Sequence, residues 1–159
     1  MAVAFRNVDV DPGAPAERWP YEAIVTVIER GTLADWLILI RAITADPWGT
    51  VARQVEDYLS YEQPYGVGPL LTRAIARARR EAEAAERAVV AEEVRQLVDV
   101  SGLSLTEFAS RMGTSVSRLS TYRSGRVTPS AALMTRMRRV SGSQRPEVSP
   151  SLVCRGPRR

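Results

Sequence analysis

Residues 115–126, Ser-Val-Ser-Arg-Leu-Ser-Thr-Tyr-Arg-Ser-Gly-Arg, concentrate hydroxyl and guanidinium groups at short, regular spacing. Wound as a helix at about 100° per residue, Val116, Ser117, Ser120, Thr121 and Ser124 share an arc of roughly 0–140° counted from Val116. Ser115, Leu119 and Tyr122 share an arc of roughly 240–300°, and Arg118 and Arg123 stand at the edges, near 200° and 340°. One face is thus apolar enough to anchor the helix. The opposite face is small and hydrogen-bonding, with an arginine on each side. Such a face lets a backbone come close to a surface, with hydroxyls for base edges and a branched methyl for thymine methyl groups. Its arginines offer planar donors suited to phosphate and guanine.

Other chemistries are excluded by what is missing. All 22 basic residues are arginine, histidine is absent, and Cys154 is the sole cysteine. There is no imidazole for a Ser/His or Cys/His pair or for a metal, no lysine for a phosphate loop or a Schiff base, and no internal disulfide or thiolate zinc cage. An enzyme would have to work with carboxylates, hydroxyls and arginine, and nothing in the spacing of Asp46, Glu56 and Asp57 fixes a catalytic pair. We therefore expect no catalytic residue, no metal and no cofactor. The amino terminus lacks a long apolar segment after a basic start, and the run Trp36 to Ile40 is too short to span a bilayer. A cytoplasmic protein is expected.

Charge is unevenly placed. Residues 1–70 hold 5 Arg against 10 acids, residues 71–100 hold 6 of each, and residues 101–159 hold 11 Arg against Glu107 and Glu147. The formal +4 is therefore a basic end joined to an acidic one, which points to a polyanion-binding third and a first half with another task.

The elements that would position these residues read as helices throughout. Pro20 suits a first turn before Ile24, Val27 and Ile28, and Gly31 ends that helix. Thr32 and Asp35 have capping-box spacing ahead of Leu33, Trp36, Leu37, Ile40 and Ile43, and Asp46-Pro47 leads to a third helix through Val51, Val55, Tyr58 and Leu59. The tryptophans Trp19, Trp36 and Trp48 are expected in the core. After Gln63-Pro64-Tyr65-Gly66 an Ala/Arg/Glu-rich helix runs towards Val100. Its Leu71, Ile75, Ala78, Ala82, Ala85 and Val89 are either a weak coiled-coil seam or one side of a plain connecting helix. Further on, Ser104 and Glu107 form a capping box, Phe108, Ala109 and Met112 an apolar stripe, and Gly113 a stop. A second short helix follows to Ser124-Gly125. Two short helices joined by a glycine-containing turn meet the requirement of a helix-turn-helix.

Residues Leu103, Ser104, Phe108, Ala109, Gly113, Ser115, Leu119, Ser120, Gly125, Pro129 and Ser130, followed by Leu133, Met137 and Val140, resemble the lambda-repressor-like, or Xre-type, helix-turn-helix family at fixed offsets. The resemblance implies that Val116, Ser117, Ser120 and Thr121 face bases. It implies phosphate contacts at Ser124 and Arg126 and at the amino end of the helix that begins at Ser104. Ser115 at the start of the next helix, and Arg118 and Arg123 on the edges of its face, are expected beside phosphates as well. Two positions depart from the pattern: Arg123 replaces a usual glutamate, and Leu105 replaces a frequent polar contact. The first half resembles, in general character, regulators of high-GC actinobacteria encoded beside toxin genes.

The chain is accordingly expected to be all-α. The expected parts are a flexible leader at 1–16, a helical partner-binding or dimerisation domain at 17–65, a connecting helix at 66–87, a helix-turn-helix domain at 88–140 and a disordered basic tail at 141–159. The expected partner is double-stranded DNA, bound by a homodimer that acts as a repressor. The alternative is an antitoxin that binds a protein toxin through its first domain and autoregulates through the second.

Overall fold

A computed structural model describes residue 11 and residues 13–142. Most of the expected leader and residues 143–159 of the expected tail lie outside the described residues, Cys154 with them. Within them the protein is all-helical: a 3₁₀ turn at Ala16–Arg18, then α1 (Tyr21–Arg30), α2 (Leu33–Ala45), α3 (Thr50–Tyr61), α4 (Val67–Ser101), α5 (Leu105–Met112), α6 (Val116–Arg123) and α7 (Ala131–Gly142). No described helix is long and apolar enough to cross a membrane. The chain divides into two compact units between Ala85 and Glu86.

In the first unit α1 supplies Ala23, Ile24, Val27 and Ile28 to the core, α2 supplies Leu39, Ala42 and Ile43, and α3 supplies Val51, Ala52, Val55, Tyr58 and Leu59. The Thr32 backbone N–H and hydroxyl both donate to Asp35 Oδ2, at 2.8 and 2.7 Å, which sets the start of α2. Val67, Leu71, Ile75 and Ala78 belong to the same core. The segment expected only to connect is therefore a fourth side of this unit, because its apolar residues recur every three or four positions and find a surface to bury them. Of the expected seam, Ala85 and Val89 are exposed. Trp19 is buried, its indole N–H donating to the Ala14 carbonyl at 2.9 Å, and the half-buried Trp36 donates to the Val27 carbonyl. Trp48, expected inside, is exposed in the turn between α2 and α3.

Tyr58 is buried and its hydroxyl donates to Glu29 at 3.1 Å. Burial first, then that carboxylate, push its pKa from 10.0 to about 12. A raised acid favours the neutral phenol in the fold, so its stabilisation is complete below pH 10 and is lost as pH climbs towards about 12. Tyr58→Phe should flatten the fall in stability over that window in urea titrations at stepped pH.

The second unit packs Val94 and Val98 of α4, Phe108, Ala109 and Met112 of α5, Leu119 and Tyr122 of α6, and Met134 and Met137 of α7. Ser141, placed in the expected tail, instead lies buried near the end of α7. Its hydroxyl lies 2.7 Å from the Leu97 carbonyl and 3.0 Å from that of Met137, which satisfies the polar group and lets the helix run on. Phe108, fully buried, is among the largest side chains in this core. Phe108→Ala should cost about 3–5 kcal/mol in denaturant unfolding followed by circular dichroism.

Candidate nucleic-acid interface

The start of α5 is set by a reciprocal cap. Ser104 Oγ accepts from the Glu107 backbone N–H at 3.3 Å, while Glu107 Oε2 accepts from the Ser104 N–H and hydroxyl at 3.0 and 2.6 Å. These bonds hold the Glu107 carboxyl below its ordinary pKa. At its other end Gly113 takes φ 68°, and the Thr114 N–H reaches back to the Ala109 carbonyl at 3.0 Å. Arg136 Nη1 donates to the Met112 carbonyl at 2.8 Å. Positive charge at a helix carboxyl end is favourable.

α6 is built the same way. Ser115 Oγ accepts from the Arg118 N–H at 3.1 Å. Gly125 at φ 73° closes the other end, with its N–H on the Tyr122 carbonyl and the Arg126 N–H on that of Thr121, at 3.2 and 3.1 Å. This paired closure is the Schellman arrangement, which needs a residue free to adopt positive φ. Gly113 and Gly125 therefore determine where the chain leaves each short helix. Leu119 and Tyr122 are buried, whereas Val116, at 41% exposure, and Ser117, Ser120 and Ser124 face outward. The hydroxyl face and the apolar anchor expected from spacing are on opposite sides of α6.

The individual side chains sort more finely. The hydroxyls of Ser104 and Ser115 are occupied by capping, so what these helix starts offer an anion is the N–H groups of the first turn, Leu105 and Thr106 on α5 and Val116 and Ser117 on α6. Thr121 is half-buried and its hydroxyl donates to the Arg118 carbonyl at 2.7 Å, leaving acceptor capacity and a methyl group. Ser124 donates likewise to the Thr121 carbonyl. The Arg118 Nε donates to the Tyr122 hydroxyl at 3.0 Å, which steadies an exposed guanidinium. Arg126 is exposed. Arg123 is half-buried, with its Nε enclosed and without a hydrogen-bond partner.

Sequence reasoning passed over Arg95. Its Nη1 donates to the Arg123 carbonyl at the end of α6, while its Nε and Nη2 hold Glu92 Oε2 at 2.9 and 2.7 Å. The spacing of Glu92 and Arg95 reads only as an ordinary exposed helical pair; the bond to α6 needs the tertiary fold. Arg138 Nε donates to Glu93 Oε1 at 2.7 Å. Comparison of the chain with protein-family models, curated proteins and solved structures yields no match. Arg95→Ala should lower stability by about 1 kcal/mol, since the group is partly exposed. It should also speed amide exchange at Ser124 to Arg126 while leaving α5 protected.

Proposed function

We propose that the protein is a sequence-specific double-stranded-DNA-binding regulator in which α5 and α6 act as a helix-turn-helix and α6 enters the major groove. The observation that carries this reading is the outward face of α6. Val116, Ser117 and Ser120 stand opposite buried Leu119 and Tyr122, on a helix whose start is capped by Ser115 and which also carries exposed Arg118, with exposed Arg126 just past its end. The side chains are short enough for close approach, and the amide donors and arginines fit phosphates on either side. The likeness of residues 103–140 to the Xre-type pattern supports the same roles.

In this reading phosphate contacts set the register, and Val116, Ser117, Ser120 and Thr121 distinguish a few base pairs. One such module reads little sequence, so a homodimer on a pseudo-palindrome, with half-sites about one helical turn apart, follows. Repression is the simplest outcome for a protein of this form bound at a promoter. A second reading, an antitoxin that engages its toxin through the first unit, is favoured by leucines that α2 turns to solvent.

With a site selected from random DNA, Ser117→Ala and Thr121→Ala should relax preference at particular base pairs, each by about 1–3 kcal/mol. Arg126→Ala should weaken binding to all sequences alike and reduce the salt slope by about one. Equal losses on selected and random DNA for all three variants would sink the base-reading assignment.

A further inference from the structure

α2 is apolar on more sides than its own unit buries. Leu39 and Ile43 face the core, yet Leu33 and Leu37 stand 60% and 41% exposed. With half-buried Ile40 and exposed Thr44 they form a stripe at steps of four, three and four residues. The stripe runs for about 16 Å, some three helical turns. Beside its Ile40 and Thr44 end lies α4, which contributes Leu70, 37% exposed, with Ala74 and Ala78, and the two helices enclose a groove of about 350 Å³. A helix with apolar residues on both its inner and outer faces is suited to burial on both. Alanines along one wall let another backbone come close.

The rim identifies the occupant. Arg73 and Arg77 of α4 line the groove, and exposed Arg41 flanks the stripe on α2. Among the described residues Glu81 is the one acid in the lining, and Arg77 Nε holds it at 2.7 Å. An acidic unit thus presents a locally basic border around an apolar floor. A second copy docked about a two-fold axis would bring identical arginine rims together. A polyanion would use the arginines but gain nothing from the leucines. We propose that the α2–α4 groove receives an amphipathic α-helix of a partner protein, with aliphatic side chains at i, i+3/i+4 and i+7 on the stripe and aspartate or glutamate on its flanks facing Arg41, Arg73 and Arg77. This is recognition of a helix in a groove, with charge selecting the partner. It concerns residues of the first unit alone and does not rest on DNA binding; it uses the same leucines that favour the antitoxin reading and narrows the partner's chemistry to an acidic amphipathic helix.

The test uses the full chain and two fluorescein-labelled 18-residue synthetic helices, identical in their leucine stripe and flanked by glutamate in one and lysine in the other. In anisotropy titrations at low salt the glutamate helix should saturate and bind about tenfold more tightly than the lysine helix. Leu37→Glu and Leu70→Glu, each with unchanged circular dichroism, should weaken it about tenfold or more. Arg73→Glu should narrow or reverse the preference between the two peptides. Saturable binding of neither peptide, or equal binding of both, overturns the proposal. So does a concentration-dependent dimer that Leu37→Glu dissociates, which would assign the groove to a second copy. DNA binding measured on the same variants should be unchanged, so failure here is separable from failure of the regulator reading.

Discussion

An eight-residue helix cannot stand alone in water, because nucleation fixes several dihedrals for each hydrogen bond gained and so few bonds repay it. α5 and α6 are each that short. Everything on the candidate DNA-facing surface depends on their burying Phe108, Met112, Leu119 and Tyr122 against Val94, Val98, Met134 and Met137. The outward face of α6 is consequently no free-standing motif. It is the outer side of a helix whose inner side is held by a four-part core, and whose ends are held by Ser115, Gly125 and Arg95.

That dependence explains how the hydroxyl and arginine groups divide their tasks. Several side chains that look like surface chemistry are structural: Ser104 and Ser115 cap helices, Arg136 and Arg95 bind carbonyls at helix ends, and Arg138 pairs with Glu93. What is left pointing outward on α6 and just past it is a smaller set, in which Arg118 and Arg126 carry exposed charge and Val116, Ser117 and Ser120 are short and exposed. Fixed donors on a rigid scaffold lose little entropy when a ligand arrives, so a small set suffices.

The first unit obeys a different logic. Of the outer stripe of α2, Ile40 packs against the core, whereas Leu33 and Leu37 stand exposed outside it and contribute little to the fold they belong to. Exposed leucines at helical spacing beside a groove are costly to leave in water and are usually accounted for by a partner. The two units thus present two surfaces of opposite chemistry, one hydroxylic and basic, the other aliphatic with a basic border.

Much of the helical order was legible in the residues themselves. Capping boxes at Thr32/Asp35 and Ser104/Glu107, stop glycines at 113 and 125, and apolar spacing of three and four are local features whose energies act within one or two turns, so the sequence determines them directly. The buried and exposed sides of α6 were legible for the same reason. The sequence could not show that Val67, Leu71, Ile75 and Ala78 complete the first core, that α7 extends through Gly142, that Arg95 grips α6, or that Arg123 draws its Nε inward. Each of these depends on which distant element supplies the matching surface or carbonyl. Periodicity says that a face must be covered, and only the tertiary structure decides by what.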